Sequence, residues 1–188
     1  QCGLPFDGEA GDFACPHCRG IDWSFERAAS AVRLHGVARE ILHRFKYQRQ
    51  IFWRVLIGRW VCEAAARLDE SGIDAIVPVP LHPRRERERE FNQAALLAQD
   101  LGRSTGWPVL GRELRRIRDT STQTRLDRGE RLHNQRDAYR VRRPDRVAGR
   151  VLCLVDDVWT TGATSEECSK TLRQAGAKKV LVLTAARG

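Results

Sequence analysis

The sequence contains no methionine, only four lysines and only two tyrosines in 188 residues. A chain that starts at Gln1 and holds no methionine is expected to be a fragment or a processed chain. No apolar run approaches the roughly 18 residues that a membrane-spanning helix needs, so no membrane insertion is expected. The charged start, apolar middle and small-residue cleavage site of a secretory leader are missing too. Six cysteines, widely scattered, do not make the disulfide framework of a secreted scaffold. Cys62, Cys153 and Cys168 stand in apolar or helical contexts and read as buried thiols of a reducing cytoplasm.

Hydrophobic residues make up 41% of the chain, enough for one α/β domain and a small appendage. The formal charge is +9, and nearly all the cation is arginine. Of 29 arginines, 18 lie between Arg84 and Arg150. Such a balance suits partners that carry phosphate, nucleotides or nucleic acid. A coding preference for arginine is the plain alternative for the overall count; the clustering speaks more directly of phosphate.

Hydrophobic periodicity predicts helices over 28–45, 53–69 (stopped by Gly72), 91–106 (ended by Gly106) and 163–177 (with Gly176 as its stop). Short apolar runs predict strands at 73–80, 151–157 and 178–186, and 107–118 reads as one strand or two short ones. Residues 81–90 read as a charged loop, and 119–139 as a polar loop that continues into a helix. Strands alternating with helices give a parallel-sheet α/β fold.

The first twenty residues are rich in glycine and cysteine. Cys15 and Cys18 form a C-x-x-C knuckle, and Gly3 after Cys2 suits a second one. Zinc wants four ligands, and three thiols are present. The fourth is either a cysteine upstream of Gln1 or His17, which sits awkwardly inside the knuckle; three metal-free thiols are the remaining alternative. The expected site is structural rather than catalytic.

Residues 151–164, VLCLVDDVWTTGAT, run from five apolar positions into Asp156 and Asp157, then into a hydroxyl-rich turn that opens a helix. Ligands of open α/β sheets bind at the carboxyl ends of strands, so both carboxylates are expected at a binding edge. The turn offers backbone N–H groups at a helix N-terminus, with Thr160, Thr161 and Thr164 as further donors around Gly162 and Ala163. A phosphate on the turn and vicinal hydroxyls on the carboxylates describe a ribose 5-phosphate. An acidic strand end that merely caps a helix is the plain alternative.

This stretch closely resembles the motif by which type I phosphoribosyltransferases bind phosphoribosyl pyrophosphate (PRPP). Cys15-Pro16-His17-Cys18, FKY at 45–47, VPVPLHPRR at 77–85, FNQAALLA at 91–98, the segment with Gln123, Arg131 and Asn134, and AGAKKVLVLTAAR at 175–187 extend the likeness in order along nearly the whole chain. Together they resemble the ComF family of competence-linked proteins. One departure is Glu90, where the family usually has glycine.

The resemblance implies a type I phosphoribosyltransferase-like parallel sheet flanked by helices over residues 23–188, with a small, partial zinc-ribbon module over 1–22. It makes Asp156 and Asp157 the catalytic pair that holds the ribose hydroxyls, and gives the 5-phosphate to Thr160, Thr161, Gly162, Ala163 and Thr164. Leu81, His82, Arg84 and Arg85 become the pyrophosphate loop, with Lys46 as a further phosphate contact. Thr122, Gln123, Arg131 and Asn134 become ligands on a hood that closes over PRPP. A solvated charged face explains residues 84–90 equally well, and a lone surface lysine explains Lys46. The implied cofactors are Mg²⁺ with PRPP and a structural Zn²⁺ on Cys2, Cys15 and Cys18.

Three functions compete. One is a transferase with an unnamed acceptor; Thr160 stands where hypoxanthine-guanine enzymes carry an aspartate, which disfavours a 6-oxopurine. The second is a non-catalytic module that senses PRPP or binds single-stranded DNA alongside DNA-uptake machinery proteins, with arginine clusters for phosphates and Phe91, Trp107, Tyr139 or Trp159 for bases. For Trp159, core packing is the plain alternative. The third is a zinc-ribbon docking protein with a relic domain, against which the intact Asp156, Asp157 and Gly162 argue.

Overall fold

Residues 151–159 carry an apolar run with too few polar positions to alternate, which suits a strand covered on both faces. In the computed structural model, which describes residues 1–3, 15, 18–68, 72–119, 135 and 137–188, this strand is central to the sheet. Chain order gives β1 (Arg27–Arg33), α1 (Gly36–Tyr47), α2 (Arg54–Ala65), β2 (Ala75–Pro78), α3 (Pro83–Arg89) and α4 (Gln93–Thr105). Then come β3 (Leu114–Arg116), β4 (Tyr139–Val141), β5 (Val151–Trp159), α5 (Ala163–Gln174) and β6 (Lys179–Arg187). The sheet order is β1-β6-β5-β2, all parallel, and β3 pairs with β4 as a separate antiparallel ribbon. The expected parallel sheet flanked by helices is present.

Alternation along β5 sends its side chains to two different cores. Cys153 and Val155 pack with Leu42 and Phe45 of α1, Ile57 and Val61 of α2, and Leu97 and Leu101 of α4. Leu152 and Leu154 pack on the other face with Leu172 of α5, Leu114 of β3 and Tyr139 of β4. Outside β2, the Ile76 N–H donates to the Pro108 carbonyl at 2.8 Å and the Leu110 N–H donates back to Ile76 at 2.7 Å, so a short stretch guards that edge. At the opposite edge the Ala28 N–H donates to the Gln1 carbonyl at 2.8 Å. Gly3 lies so near there that a Cβ would stand 2.2 Å from the Ala28 oxygen.

Capping explains how α4 is placed. Asn92 Oδ1 accepts from the Ala95 N–H at 3.3 Å while its Nδ2 donates to the Val79 carbonyl at 3.0 Å, tying the helix start to the end of β2. Gly106 ends α4 in the left-handed region, as its sequence position suggested.

Two expected elements are corrected. Residues 28–45 are not one helix: 28–33 belong to β1, which pairs with β6 from Arg27 opposite Leu181 to Arg33 opposite Arg187. Small residues with weak local preference there follow the partner strand, and the helix starts at Gly36. Residues 81–90 are not a plain loop, because Pro83 supplies the first-turn geometry of α3 and His82 caps it.

The C-cap of α3 is Glu90, at φ 68°, a conformation that favours glycine. Among the described residues its only ion pair is the exposed one to Arg49, at 2.8 Å. Glu90→Gly is therefore expected to stabilise the fold by about 1 kcal/mol, read as a higher midpoint in urea denaturation.

Candidate functional site

At the carboxyl end of β5 the pleat turns adjacent side chains apart. Asp157, 7% exposed, lies on the α1 face, where Lys46 Nζ reaches its Oδ1 at 2.9 Å. Burial opposes the charge on Lys46, but Asp157 and, more weakly, Asp156 hold the ammonium above its ordinary pKa. The Asp157 N–H donates to Asp156 Oδ1 at 2.8 Å. Burial and the neighbouring Asp157 charge push the Asp156 carboxyl from its ordinary 3.8 up to about 7, against the pull of Lys46. The two carboxylates therefore differ in surroundings: Asp157 has Lys46 at contact distance, and the Asp156 carboxyl is held well above its ordinary pKa.

Lys46 opens onto a cavity of about 510 Å³, lined with Arg49, Arg84, Arg85, Arg89 and Asp119. Asp119 gathers the loop behind it, standing 3.9 Å from His82 Nδ1, 4.0 Å from Arg84 Nη1 and 3.9 Å from Arg85 Nε. Arg89 lies over the Tyr47 ring at 5.1 Å. On the other side of Lys46 and Tyr47 is a second cavity of about 440 Å³, with Leu34, Leu42, Val158 and Thr160 in its wall. A cationic hollow and a largely apolar one thus meet at the acidic strand end.

The turn after β5 is built on Gly162, which caps α5 at φ 85°. Thr161 Oγ1 accepts from the Ala163 N–H at 3.4 Å, and the Gly162 carbonyl accepts from Glu166 at 2.8 Å. Thr160 is exposed and Thr164 half-buried. Beneath the turn Trp23, Phe25 and Trp159 pack ring on ring, with centroids 5.1–5.9 Å apart. Trp159 is 2% exposed, so it is a packing residue and offers no open face to a base.

At the N-terminus, Cys2 Sγ lies 3.8 Å from Cys15 Sγ, and the three sulfurs of Cys2, Cys15 and Cys18 are all within 4.8 Å of one another. Thiolates about 2.3 Å from a tetrahedral ion stand about 3.8 Å apart, so these residues fit a metal ion. The Cys18 N–H donates to the Cys15 carbonyl at 2.9 Å, the turn expected of the knuckle. Burial opposes a Cys18 thiolate, but the Cys2 backbone and side chain and the Trp23 indole together hold its pKa below the ordinary value.

The structure brings Lys46, Arg84 and Arg85 to one cavity and sets His82 at its rim through Asp119. Leu81 is not among the described residues that line either hollow. Gln123, Arg131 and Asn134, with Thr122 and His17, lie outside the described residues. Sequence reasoning missed Asp119, Arg49 and Arg89 as cavity residues. It also missed the pairing of Lys46 with Asp157, although the scarcity of lysine, with none other before Lys170, was a usable signal.

Two substitutions test this geometry. A Cβ on Gly162 would stand 2.6 Å from Trp159 Cζ2 and 2.9 Å from Trp23 Cη2, at a φ that already disfavours a side chain. Gly162→Ala is expected to cost about 1–3 kcal/mol in thermal or urea unfolding. For Asp156, the folded protein keeps up to about pH 7 a proton that the unfolded chain releases near 3.8, so its contribution to stability is full below pH 3.8 and is lost as pH rises through 7. Asp156→Asn should raise the melting temperature over the wild type at pH 8, and the gain should shrink towards pH 4.

No family profile matches the chain. It is 36% identical over 152 residues to competence protein F of Haemophilus influenzae, covering 78% of this chain and 66% of that protein. It is 32% identical over 186 residues to the DNA utilization protein YhgH of Salmonella typhi, covering 97% of this chain and 80% of that one. Among solved structures, a glutamine PRPP amidotransferase from B. subtilis, complexed with ADP and GMP, aligns with a TM-score of 0.47 at 22% identity, over 70% of this chain and 26% of that one. No helix among the described residues is long and apolar enough to cross a membrane.

Proposed function

Because the chain belongs to the ComF family, we propose that it is a phosphoribosyltransferase-like protein that binds Mg²⁺·PRPP at the end of β5 and serves in DNA uptake or utilisation. The observation that carries the reading is the Lys46–Asp157 pair, which ties the acidic end of β5, just before the Gly162 turn, to a side chain that lines the cationic hollow. Residues 23–188 form the transferase-like domain, and residues 1–22 a partial zinc-ribbon module whose Cys2, Cys15 and Cys18 hold a structural Zn²⁺. In this reading Cys62, Cys153 and Cys168 remain free thiols, which fits a reducing cytoplasm.

In this reading each residue has a role set by charge and place. Backbone N–H groups and hydroxyls of Thr160, Thr161, Gly162, Ala163 and Thr164 take the 5-phosphate. Asp156 and Asp157 accept the ribose 2- and 3-hydroxyls. Lys46, Arg84 and Arg85 face the pyrophosphate and stabilise its charge as the bond to C1 lengthens. His82 and Asp119 fix the start of α3, which carries the two arginines. Mg²⁺, held with PRPP beside Asp156 and Asp157, would offset the negative charge of the ligand. An acceptor nucleophile would approach C1 from the hollow beside Val158 and Thr160.

The runner-up, a non-catalytic module on single-stranded DNA, draws on the exposed arginines of α3, such as Arg84. Calorimetric titration of Mg²⁺·PRPP into the wild type and into Asp156→Asn/Asp157→Asn separates the two. We expect binding that the double variant loses by at least tenfold. Wild-type affinity should rise from pH 6 to pH 8 as Asp156 ionises, and Asp156→Asn alone should flatten that rise. A folded wild type that ignores PRPP but binds oligo-dT with a steep salt dependence would reject the PRPP site and favour the DNA module.

A further inference from the structure

Beyond the acidic pair and its cavity, the described residues hold one buried group whose electrostatics are incomplete. Arg187, at the end of β6, is 6% exposed. Among the described residues its guanidinium meets no carboxylate. Nη1 donates to the Cys2 carbonyl, Nη2 stands 3.4 Å from Cys2 Sγ, the Trp159 ring lies 5.1 Å away, and Nε has no partner. A cation taken out of water in this way needs a counter-charge. Neutral thiols supply none.

Trp23 shows a similar imbalance. It is 5% exposed, and its indole N–H has no hydrogen-bond partner at contact distance. It packs in the same cluster as Cys2, against which Cys15 and Cys18 lie. Thus, among the described residues, two of the four buried polar atoms left without partners, Trp23 Nε1 and Arg187 Nε, belong to side chains packed near the cysteine cluster. Three thiolates on a divalent ion carry a net charge of −1, which Arg187 balances. Sulfur that bears metal-bound charge is also the acceptor that an indole N–H lacks here.

The same side chains reach the phosphate turn. Arg187 covers one side of Trp159, and the edges of Trp159 and Trp23 leave no space for a Cβ on Gly162. The path from Cys2 to Gly162 is therefore Arg187, then Trp159, with Trp23 as a second route from Cys18. We propose that Trp23 and Arg187 are the outer donors of a thiolate-bound metal at Cys2, Cys15 and Cys18, and that through Trp159 they make the order of the Gly162 turn depend on that metal. The inference rests on the metal reading of the three cysteines. Trp23 and Arg187 are positioning residues in it.

The test uses the full chain, Zn²⁺ titrated against a chromophoric chelator, and hydrogen exchange of the turn amides. Trp23→Phe keeps an aromatic ring but removes the N–H, together with the outer edge of the indole that lies against Gly162. It should lower Zn²⁺ affinity by about tenfold or more, a loss that the packing change alone does not predict. Arg187→Met should lower affinity at least as much. In the wild type, Zn²⁺ should slow exchange at Thr161–Ala163 several-fold, and Trp23→Phe should reduce that difference. A merely structural role predicts the opposite pattern: unchanged Zn²⁺ affinity in folded Trp23→Phe, or turn amides indifferent to Zn²⁺ in the wild type, and either result overturns the proposal. A wild type that binds no Zn²⁺ overturns the metal reading as well, and the first titration alone reveals it. The exchange measurement needs neither PRPP nor a variant, so failure of the PRPP reading leaves this test intact.

Discussion

Asp157 is carried into the sheet by an apolar strand, and its charge is tolerable there because Lys46 arrives at 2.9 Å. A pair this enclosed contributes little net stability over an apolar pair, but it fixes position, since either partner left alone would be a buried charge. For Lys46 to reach β5, the last turn of α1 must lie on the sheet, which the fully buried Phe45 secures. The chain then leaves α1 with Tyr47 and Arg49 facing the arginines of α3. One ion pair thus sets the wall of the cationic hollow, the border of the apolar one and the approach to the strand end.

Adjacency in sequence makes Asp156 and Asp157 chemically unlike. The pleat gives them opposite faces, and burial with a close carboxylate neighbour raises Asp156, which among the described residues has no cation at contact. Asp156 therefore resists ionisation more than an ordinary carboxyl does. A ligand that brings a divalent cation supplies the charge that would favour full ionisation, so occupancy and protonation are linked at this site.

Much of this was legible in the residues. The apolar run of β5 with its two carboxylates, the glycine turn and the C-x-x-C knuckle are local signals, because strand burial, helix capping and thiol spacing act over a few positions. The α4 boundary at Gly106 and the strand at 179–187 are legible for the same reason. What was not legible depends on distant partners. Residues 28–33 become a strand only because β6 stands beside them, and Asp119 becomes important only because α3 folds back near it. Glu90 marks the boundary between the two cases: its oddity was visible as a missing glycine, and its left-handed backbone explains why glycine would suit the place.

The first residues of the chain have a further consequence. β1 is an outer strand, and the hydrogen bond from Ala28 to Gln1, with Gly3 pressed against the same residue, covers part of its free backbone edge. Uncovered strand edges recruit other strands. The cysteine-bearing segment is thus also a guard against intermolecular sheet growth. Whatever loosens it, whether proteolysis, thiol oxidation or chelation, would expose a template for self-association before it unfolded anything.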